Sequence, residues 1–373
     1  MICRIEDLKK ISSILLTAVD SSDISKVTDN LELKVDNQVL MLSVTNGEYY
    51  VRTKLPIYED IDFHATVNAS IFLKLLTKIT TETVEFKIDN NLLKIIGNGE
   101  YKIPLIYDGD KMMTLPEIVI NNVTTTFDVN SDILKSILKY NSKELIKKNV
   151  VSNPVQKLYY IDNEGAITFT SGACVNVFKL AKPIKVLLSQ KVVGLFKLFD
   201  ESSVELKLGQ DQVANTSNIQ TKISFESPTL KISAILPSND ALIGTVPVQA
   251  IRNRAFNTYG KSVSLNRAEL LQSLDRMLLF YDNALNFYAK FEFKPDGLKI
   301  SSLNGGIYES MNYMTSSGLD DTYEAILDLT DIKVVAQSYQ ESNVTLNFGD
   351  SQAFVMIKPN IYSVIPEVRI WWR

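Results

Sequence analysis

Apolar and polar positions recur along this chain in one order. A short apolar strand leads to a polar residue suited to cap a helix. An amphipathic run, a polar turn and strands alternating at period two follow. Three segments show the order plainly: TVNASIFLKLLTKITTETVEFKID from Thr66, KVLLSQKVVGLFKLFDESSVELKLG from Lys185, and AILDLTDIKVVAQSYQESNVTLNFG from Ala325. Asn68, Ser189 and Thr330 stand at the cap position, where a side-chain oxygen can accept the first free backbone N–H groups. Apolar residues at three- and four-residue spacing after each cap predict a helix with one buried face. A second set of segments opens the other half of each unit: RIEDLKKISSILLTAV from Arg4, FDVNSDILKSILKY from Phe127, and VSLNRAELLQSLDRML from Val263. Each precedes alternating strands: LELKVDNQVLMLSVTN, LYYIDNEGAITFTSG and NFYAKFEFKPDGLKISSLNG.

These segments amount to six copies of one helix-plus-strands unit. Paired, they predict three similar domains at 1–121, 122–239 and 240–373, with joins at Asn121–Asn122 and at the PSND turn, Pro237–Asp240. The segment VPVQAIRNRAFNTYGK leads into the third. Short joins between strands make each unit α+β with antiparallel hairpins, not alternating βαβ. Repeat-equivalent helices should share one face of a continuous sheet.

Composition changes the picture little. A length of 373 residues suits two or three domains. The opening MICRIEDLKK lacks a signal peptide's apolar run, and no stretch has the length and apolarity to span a bilayer. Cys3 and Cys174, far apart, read as free thiols of a reducing compartment. A cytoplasmic protein without membrane contact is expected. Enzyme signatures are mostly missing. His64 is the one histidine, in DFHATV, and reads as a strand residue. Neither a GxxxxGK[ST] loop nor a GxGxxG turn occurs, and Gly97–Gly99 and Asn304–Gly306 follow alternating runs as hairpin turns do. Asp108 and Asp110 in YDGDK could ligate a metal, but Asp and Gly also suit a turn. No catalysis and no cofactor are expected.

Charge carries more information. SDILKSILKYNSKELIKKN places Lys135, Lys139, Lys143 and Lys147 four residues apart, with Lys148 adjoining; against Asp132 and Glu144 the local net is +3. The whole chain has 39 Lys+Arg against 43 Asp+Glu, a net of −4. On a helix that spacing makes a stripe, although Asn141–Ser142 is also a stop signal that would leave Lys143–Lys148 on a loop. Asn68–Lys78 carries Lys74 and Lys78 with no acid, and Gln190–Phe199 carries Lys191 and Lys197 with none. Asn266–Arg276 balances Arg267 and Arg276 against Glu269 and Asp275. Such faces suit duplex phosphates, which attract lysine with no reading of bases. An ordinary solvated helix face fits the same pattern.

Three domains of two units each, LYYIDNEGAITFTSGACVNVFKL followed by KVLLSQKVVGLFKLF in the middle domain, and DGLKISSLNGG with the closing VIPEVRI, together resemble the bacterial sliding clamp, the DNA polymerase III beta subunit. The similarity is diffuse but runs over essentially the whole chain. It implies a head-to-tail homodimer closing a ring, helices lining the hole, that encircles double-stranded DNA and serves as a processivity factor. Implied partners are a DNA polymerase, a clamp loader, and other replication or repair proteins bearing clamp-binding peptides. By position in the family, Lys26, Lys191 and Lys290 match basic sites near DNA, with Lys147 and Lys148 in a facing loop.

The resemblance also implies a partner-peptide groove of Thr170, Gly172, Ala173, Val175, Ile235, Ile365, Pro366 and Val368, with Val155 at its margin. Here Ala173–Cys174 replaces the family's His-Arg pair, and Glu367 enters the C-terminal motif. The implied ring joint sets Lys102, Ile103 and Leu105 against Leu278 and Leu279. The acidic run expected there is thinned to Glu309. A non-enzymatic scaffold or clamp decoy reusing the fold without DNA retention is the other reading of the same pattern.

Overall fold

The computed structural model describes residues 1–19, 27–59, 61–146, 154–213, 216–237, 240–281, 287–349 and 353–368. Among these, one order of strand, helix and three antiparallel strands is followed in every repeat. The first repeat holds β1 (Ile2–Arg4), α1 (Ile5–Ala18), β2 (Asn30–Asp36), β3 (Val39–Thr45) and β4 (Tyr49–Pro56). The second holds β5 (His64–Asn68), α2 (Ala69–Lys78), β6 (Thr83–Asp89), β7 (Leu92–Ile96) and β8 (Glu100–Pro104). A small hairpin, β9 (Tyr107–Asp108) with β10 (Lys111–Met112), turns through Gly109 at φ +62°, so Asp108 and Asp110 flank a turn.

The third repeat holds β11 (Val123–Asn130), α3 (Ser131–Ser136), a π-helical stretch Ile137–Asn141, α4 (Ser142–Ile146), β12 (Leu158–Asp162), β13 (Gly165–Phe169) and β14 (Ala173–Val177). The fourth holds β15 (Lys185–Ser189), α5 (Gln190–Gly194), β16 (Ser203–Gln212), β17 (Ile219–Glu226) and β18 (Leu230–Ile235). Two connecting helices follow, α6 (Asp240–Gly244) and α7 (Val248–Ala255). The fifth repeat holds β19 (Lys261–Asn266), α8 (Arg267–Leu278), β20 (Tyr288–Lys294), β21 (Gly297–Ser302) and β22 (Tyr308–Met311), with β23 (Thr315–Ser317) after it. The sixth holds β24 (Tyr323–Asp328), α9 (Leu329–Ser338), β25 (Asn343–Phe348), β26 (Ala353–Lys358) and β27 (Ile361–Pro366).

Cap chemistry starts the helices. Asn68 accepts the Ile71 N–H at 2.9 Å, Asn266 accepts that of Glu269 at 3.1 Å, and Ser189 that of Val192 at 3.3 Å. The sixth repeat departs from expectation. Asp328, not Thr330, is its cap, accepting from the N–H groups of Thr330 and Asp331, because the helix starts at Leu329, two residues earlier than a cap at Thr330 implies. Consecutive repeats exchange their first strands: β1 pairs with β6 and β5 with β2, β11 with β16 and β15 with β12, β19 with β25 and β24 with β20. Each repeat therefore depends on its neighbour to complete its sheet.

Strand pairing also runs between the paired repeats. β4 pairs with β18 and β14 with β27, giving sheets ordered β11-β16-β17-β18-β4-β3-β2-β5 and β15-β12-β13-β14-β27-β26-β25-β19-β23. Two four-stranded sheets remain, β1-β6-β7-β8 and β22-β21-β20-β24. The chain accordingly forms two compact units, Met1–Leu134 with Gly194–Pro237 and Lys135–Val193 with Ser238–Arg373. The cut runs through the middle third of the chain, because the sheet of its fourth repeat is continuous with that of the first. The first unit is filled by residues such as Leu8, Leu15, Phe72 and Phe86. In the second, Phe291, Phe293, Phe348 and Phe354 sit under Leu270 and Leu274 of α8 and Ile332 and Val335 of α9.

Candidate nucleic-acid and partner interfaces

α2 buries Phe72, Leu73 and Leu76 and turns Lys74 and Lys78 outward; among the described residues neither is ion-paired. Lys191 and Lys197 are both exposed but lie on separate pieces, since α5 ends at Gly194 and Lys197 sits in a 3-10 turn, Phe196–Leu198. The helix through Lys135 does not stop at Asn141–Ser142. It continues to Ile146 through the π turn. That turn takes one more residue than an α turn, so the four-residue stripe slips out of line. Lys139 is exposed, with its Nζ 5.1 Å from the Tyr140 ring centre, while Lys135 and Lys143 are half-buried.

Asn141 anchors this turn from a fully buried position. Its Nδ2 donates to the carbonyls of Ala166 (3.3 Å) and Cys174 (3.2 Å) and to Thr168 Oγ1 (3.4 Å), and Thr168 Oγ1 donates back to the Asn141 carbonyl at 2.8 Å. Lys26, Lys147 and Lys148 lie outside the described residues.

Lys290 is a correction. On β20 the alternate residues Ala289, Phe291 and Phe293 face the core that α8 and α9 cover, so Lys290 faces the opposite side of the sheet from those helices. There its Nζ lies 2.8 Å from Glu324 Oε1. Arg276 of α8 and Lys333 of α9 are also paired within the chain. Arg276 makes a bidentate pair with Glu309 (2.8 and 2.7 Å), and Lys333 lies 2.5 Å from Asp275.

The expected groove residues separate into several environments. Val155, Ala173 and Val175 share one buried cluster with Tyr160, Ile167, Leu187, Val355 and Val364. Val246, with Ile251 and Ala255 of α7, closes it; Leu242, Ile243, Val248, Phe169 and Tyr362 pack half-exposed at its margin. The lead-in segment is thus a wall of this surface. The spacing Val248, Ile251, Ala255 was its helical signal. Thr170 and Gly172 make the β13–β14 turn, the Thr170 N–H donating to the Gly172 carbonyl at 3.0 Å.

Pro366 is half-buried at the end of β27, and the Val368 N–H donates to the Ile326 carbonyl at 2.8 Å. Ile365 is the second correction. Strand alternation turns it to the other face from Val364, into the core beneath α8 and α9, where it is fully buried. Ile235 belongs to the other compact unit, where it packs with Tyr50, Leu115 and Ile118, the last two from the chain's own connector.

Arg252 of α7 is tied to the β12–β13 turn through Asp162 (2.8 Å) and Glu164 (2.8 Å). Burial, reinforced by the Asp162 carboxylate, pushes the Tyr160 hydroxyl up to about 12. A cleft of about 580 Å³ beside this helix is lined by Glu164, Gln249, Arg252, Asn253, Phe256, Asn257 and Thr258. Phe256 stands edge-on to Tyr362, with ring centres 4.9 Å apart.

At the ends of the four-stranded sheets the expected joint residues behave unequally. Lys102 is exposed and 3.3 Å from Glu100 of its own strand. Ile103 and Leu105 are buried within the chain, which leaves them little apolar area to offer a second copy. Leu278 is half-buried, whereas Leu279 is 76% and Phe280 71% exposed. Phe280, Tyr308 on β22 and Ile71 on α2 are exposed as well; periodicity marks helices and strands but not which apolar residues stay outside. The hydrogen bonds from Arg276, and from Ser273 at 3.0 Å, hold the Glu309 carboxyl below its usual range. Among the described residues no cluster of His, Cys, Asp or Glu could hold a metal ion, and no helix is long and apolar enough to cross a membrane.

No protein-family model and no curated protein sequence matches this chain. Solved structures do match its fold. The beta subunit from DNA polymerase of Streptococcus pyogenes aligns at 15% identity and TM-score 0.80, covering 99% of both chains. The DNA polymerase sliding clamp from Bacillus subtilis aligns at 15% and 0.79, again over 99% of both. A sliding clamp from Pseudomonas aeruginosa bound to griselimycin aligns at 13% and 0.81, also over 99% of both. The protein has the fold of the bacterial DNA polymerase III beta sliding clamps, at a sequence identity where only the fold is in common.

Proposed function

We propose that this protein is a DNA sliding clamp: two copies close head to tail around duplex DNA and tether a polymerase. The observation that carries this reading is the pair of unmatched four-stranded sheets. Wherever strands of non-consecutive repeats meet inside the chain, the last strand of an odd repeat pairs with the last strand of an even one, as β4 with β18 and β14 with β27. Of the repeats' last strands, β8 and β22 are the two left at a sheet end among the described residues. Two copies can satisfy both edges twice over, and exposed sheet edges are rarely left unguarded. Domains divided at 1–121, 122–239 and 240–373 then correspond to the three strand-exchanged pairs of repeats.

Within such a ring the DNA contact is a diffuse positive lining and not a base-reading surface. Lys74, Lys78, Lys191 and Lys197 are its exposed members, and Lys26, Lys147 and Lys148 extend it in the family's pattern. The third pair of repeats contributes less, since Arg276 and Lys333 are already paired. Partner peptides dock on the apolar surface of Phe169, Val248 and Tyr362, near Thr170, Gly172 and Pro366. The polymerase, a loader and other replication or repair proteins are the expected partners. The paired charges of α8 and α9 favour one other reading, a scaffold that forms rings but does not hold DNA.

Negative-stain imaging tests the architecture: closed two-chain rings with a central hole are expected, and single chains at every concentration would refute it. Salt titration of DNA binding tests the lining. Changing Lys74, Lys78, Lys191 and Lys197 together to Glu should flatten the log–log salt slope by about 0.9 for each lost phosphate contact. An unchanged slope with intact rings selects the scaffold.

A further inference from the structure

In each compact unit, strands of non-consecutive repeats meet at a junction, and a connecting stretch of the chain covers it. The first junction, β4 with β18, is crossed by the stretch before β11, whose Leu115 and Ile118 pack on Tyr50 and Ile235. That cover is fastened along its length. Glu117 holds both Arg52 and Lys231, and the Val119 carbonyl accepts from Lys222 at 2.9 Å. The backbone N–H groups of Asn121 and Asn122 donate to Asp211 at 3.1 and 2.9 Å. Lifting it would strip the buried Asp211 carboxylate of these donors, which is costly.

The second junction, β14 with β27, is crossed by α7, which touches both strands. Ile251 and Ala255, with Val246 just before the helix, pack into one cluster with Ala173 and Val175 of β14 and Val364 of β27. This cover is fastened differently. The N–H groups of Val246, Val248, Ile251 and Phe256 all donate to carbonyls of the segment itself, and Pro247 brings the helix no side-chain cap. The ties that reach the sheet are made by side chains: the aliphatic groups, Arg252 on Asp162 and Glu164, and Phe256 against the Tyr362 ring. A segment held in this way can open without breaking a strand pair. Val155, Ala173 and Val175 are also positions where the sequence predicts a partner peptide, and α7 closes their cluster.

We infer that α7 is a lid seated in cis on the partner-peptide surface, and that a peptide docks fully by displacing it. The inference rests on the docking reading above and adds its regulation. With the lid seated, the half-exposed margin of Phe169, Val248 and Tyr362 stays open for first contact. A peptide that takes the lid's place must bring aliphatic side chains for Val175 and Val364. It must also bring a Lys or Arg for Asp162, whose buried carboxylate otherwise loses its cation. The lid lowers the affinity of every competitor by the fraction of time the surface is open, so weakening the lid strengthens docking with no change in the surface.

Thiol protection reads the lid without a partner, a ring or DNA. Val175→Cys puts a small thiol beneath α7, against a parent chain whose Cys3 and Cys174 are buried. In the full-length protein this thiol should react slowly with a thiol reagent. Adding Ile251→Ser, or Arg252→Gln, should speed its labelling at least about tenfold and leave the labelling of Cys3 and Cys174 unchanged. Two lid variants guard against one failing to fold, and circular dichroism checks both. The probe in trans is a synthetic peptide of residues 246–256, VPVQAIRNRAF. It should slow the labelling of the Ile251→Ser chain, and the same peptide with Arg252→Ala should be at least about tenfold weaker. Labelling that neither lid variant changes makes α7 a fixed wall and overturns the lid. Faster labelling that the peptide does not slow overturns the competition for this surface. Equal action of the two peptides overturns the role given to Asp162. Absent rings or an unchanged salt slope would overturn the clamp reading and leave each of these results standing.

Discussion

Leu279 and Phe280 give the proposed joint its largest measurable handle. They follow α8 in a 3-10 turn, and about three quarters of each side chain is exposed in the single chain. The internal repeat shows what covers such a position: in the equivalent helix of the third repeat, the end piece α4 packs on α9. At the joint between copies the matching surface is α2, where Ile71 is 57% exposed. Fully burying a Leu or Phe side chain stabilises by roughly 1.5–3 kcal/mol, so each of these has roughly 1–2 kcal/mol still to gain. Two side chains at two equivalent joints sum to roughly 4–8 kcal/mol, or roughly a 10³- to 10⁶-fold change in dimer dissociation constant. Leu279→Ala with Phe280→Ala should therefore convert the dimer to monomer at micromolar concentration in sedimentation velocity. The melting temperature of the monomer should barely move, because neither residue is in the core. A dissociation constant shifted less than tenfold would refute the placement of these residues at the joint.

Asn141→Ala should cost about 1–3 kcal/mol, read as a lower urea midpoint at unchanged slope, since its amide serves three acceptors around a buried π turn. Phe169→Ala with Pro366→Ala should weaken a partner peptide about tenfold by fluorescence anisotropy and leave the dimer intact; unaltered affinity would discard this groove. Glu117 lies 2.6 Å from Arg52 and 3.1 Å from Lys231. Burial pushes its carboxyl up, but the Arg52 charge and the hydrogen bonds from Lys231 and Arg52 outweigh it, leaving the group below its usual range. A carboxylate depressed in this way stabilises the fold fully above its unfolded value and loses that contribution as pH falls through the folded one. Glu117→Gln should thus lower stability at neutral pH, and its gap to the parent chain should close as the pH drops below about 4.3 in denaturant titrations.

Periodicity and cap residues, which act within a few positions of one another, were enough to determine the six repeats, their antiparallel strands and the caps at Asn68 and Ser189. They also determined the exposure of Lys74 and Lys78, since a helix that buries Phe72, Leu73 and Leu76 must turn those lysines outward. Sidedness at one-residue resolution was decided only in three dimensions. Lys290 and Ile365 each sit on a strand beside residues facing the other way, and which face is covered depends on where α8 and α9 pack. The π turn at Asn141 likewise rests on acceptors 25 to 33 residues away in sequence, and the lysine stripe slips because of them. The pairing of β4 with β18 and of β14 with β27 joins segments more than 170 residues apart. No local pattern encodes such contacts, because a strand's alternation carries no information about which other strand its edge will meet.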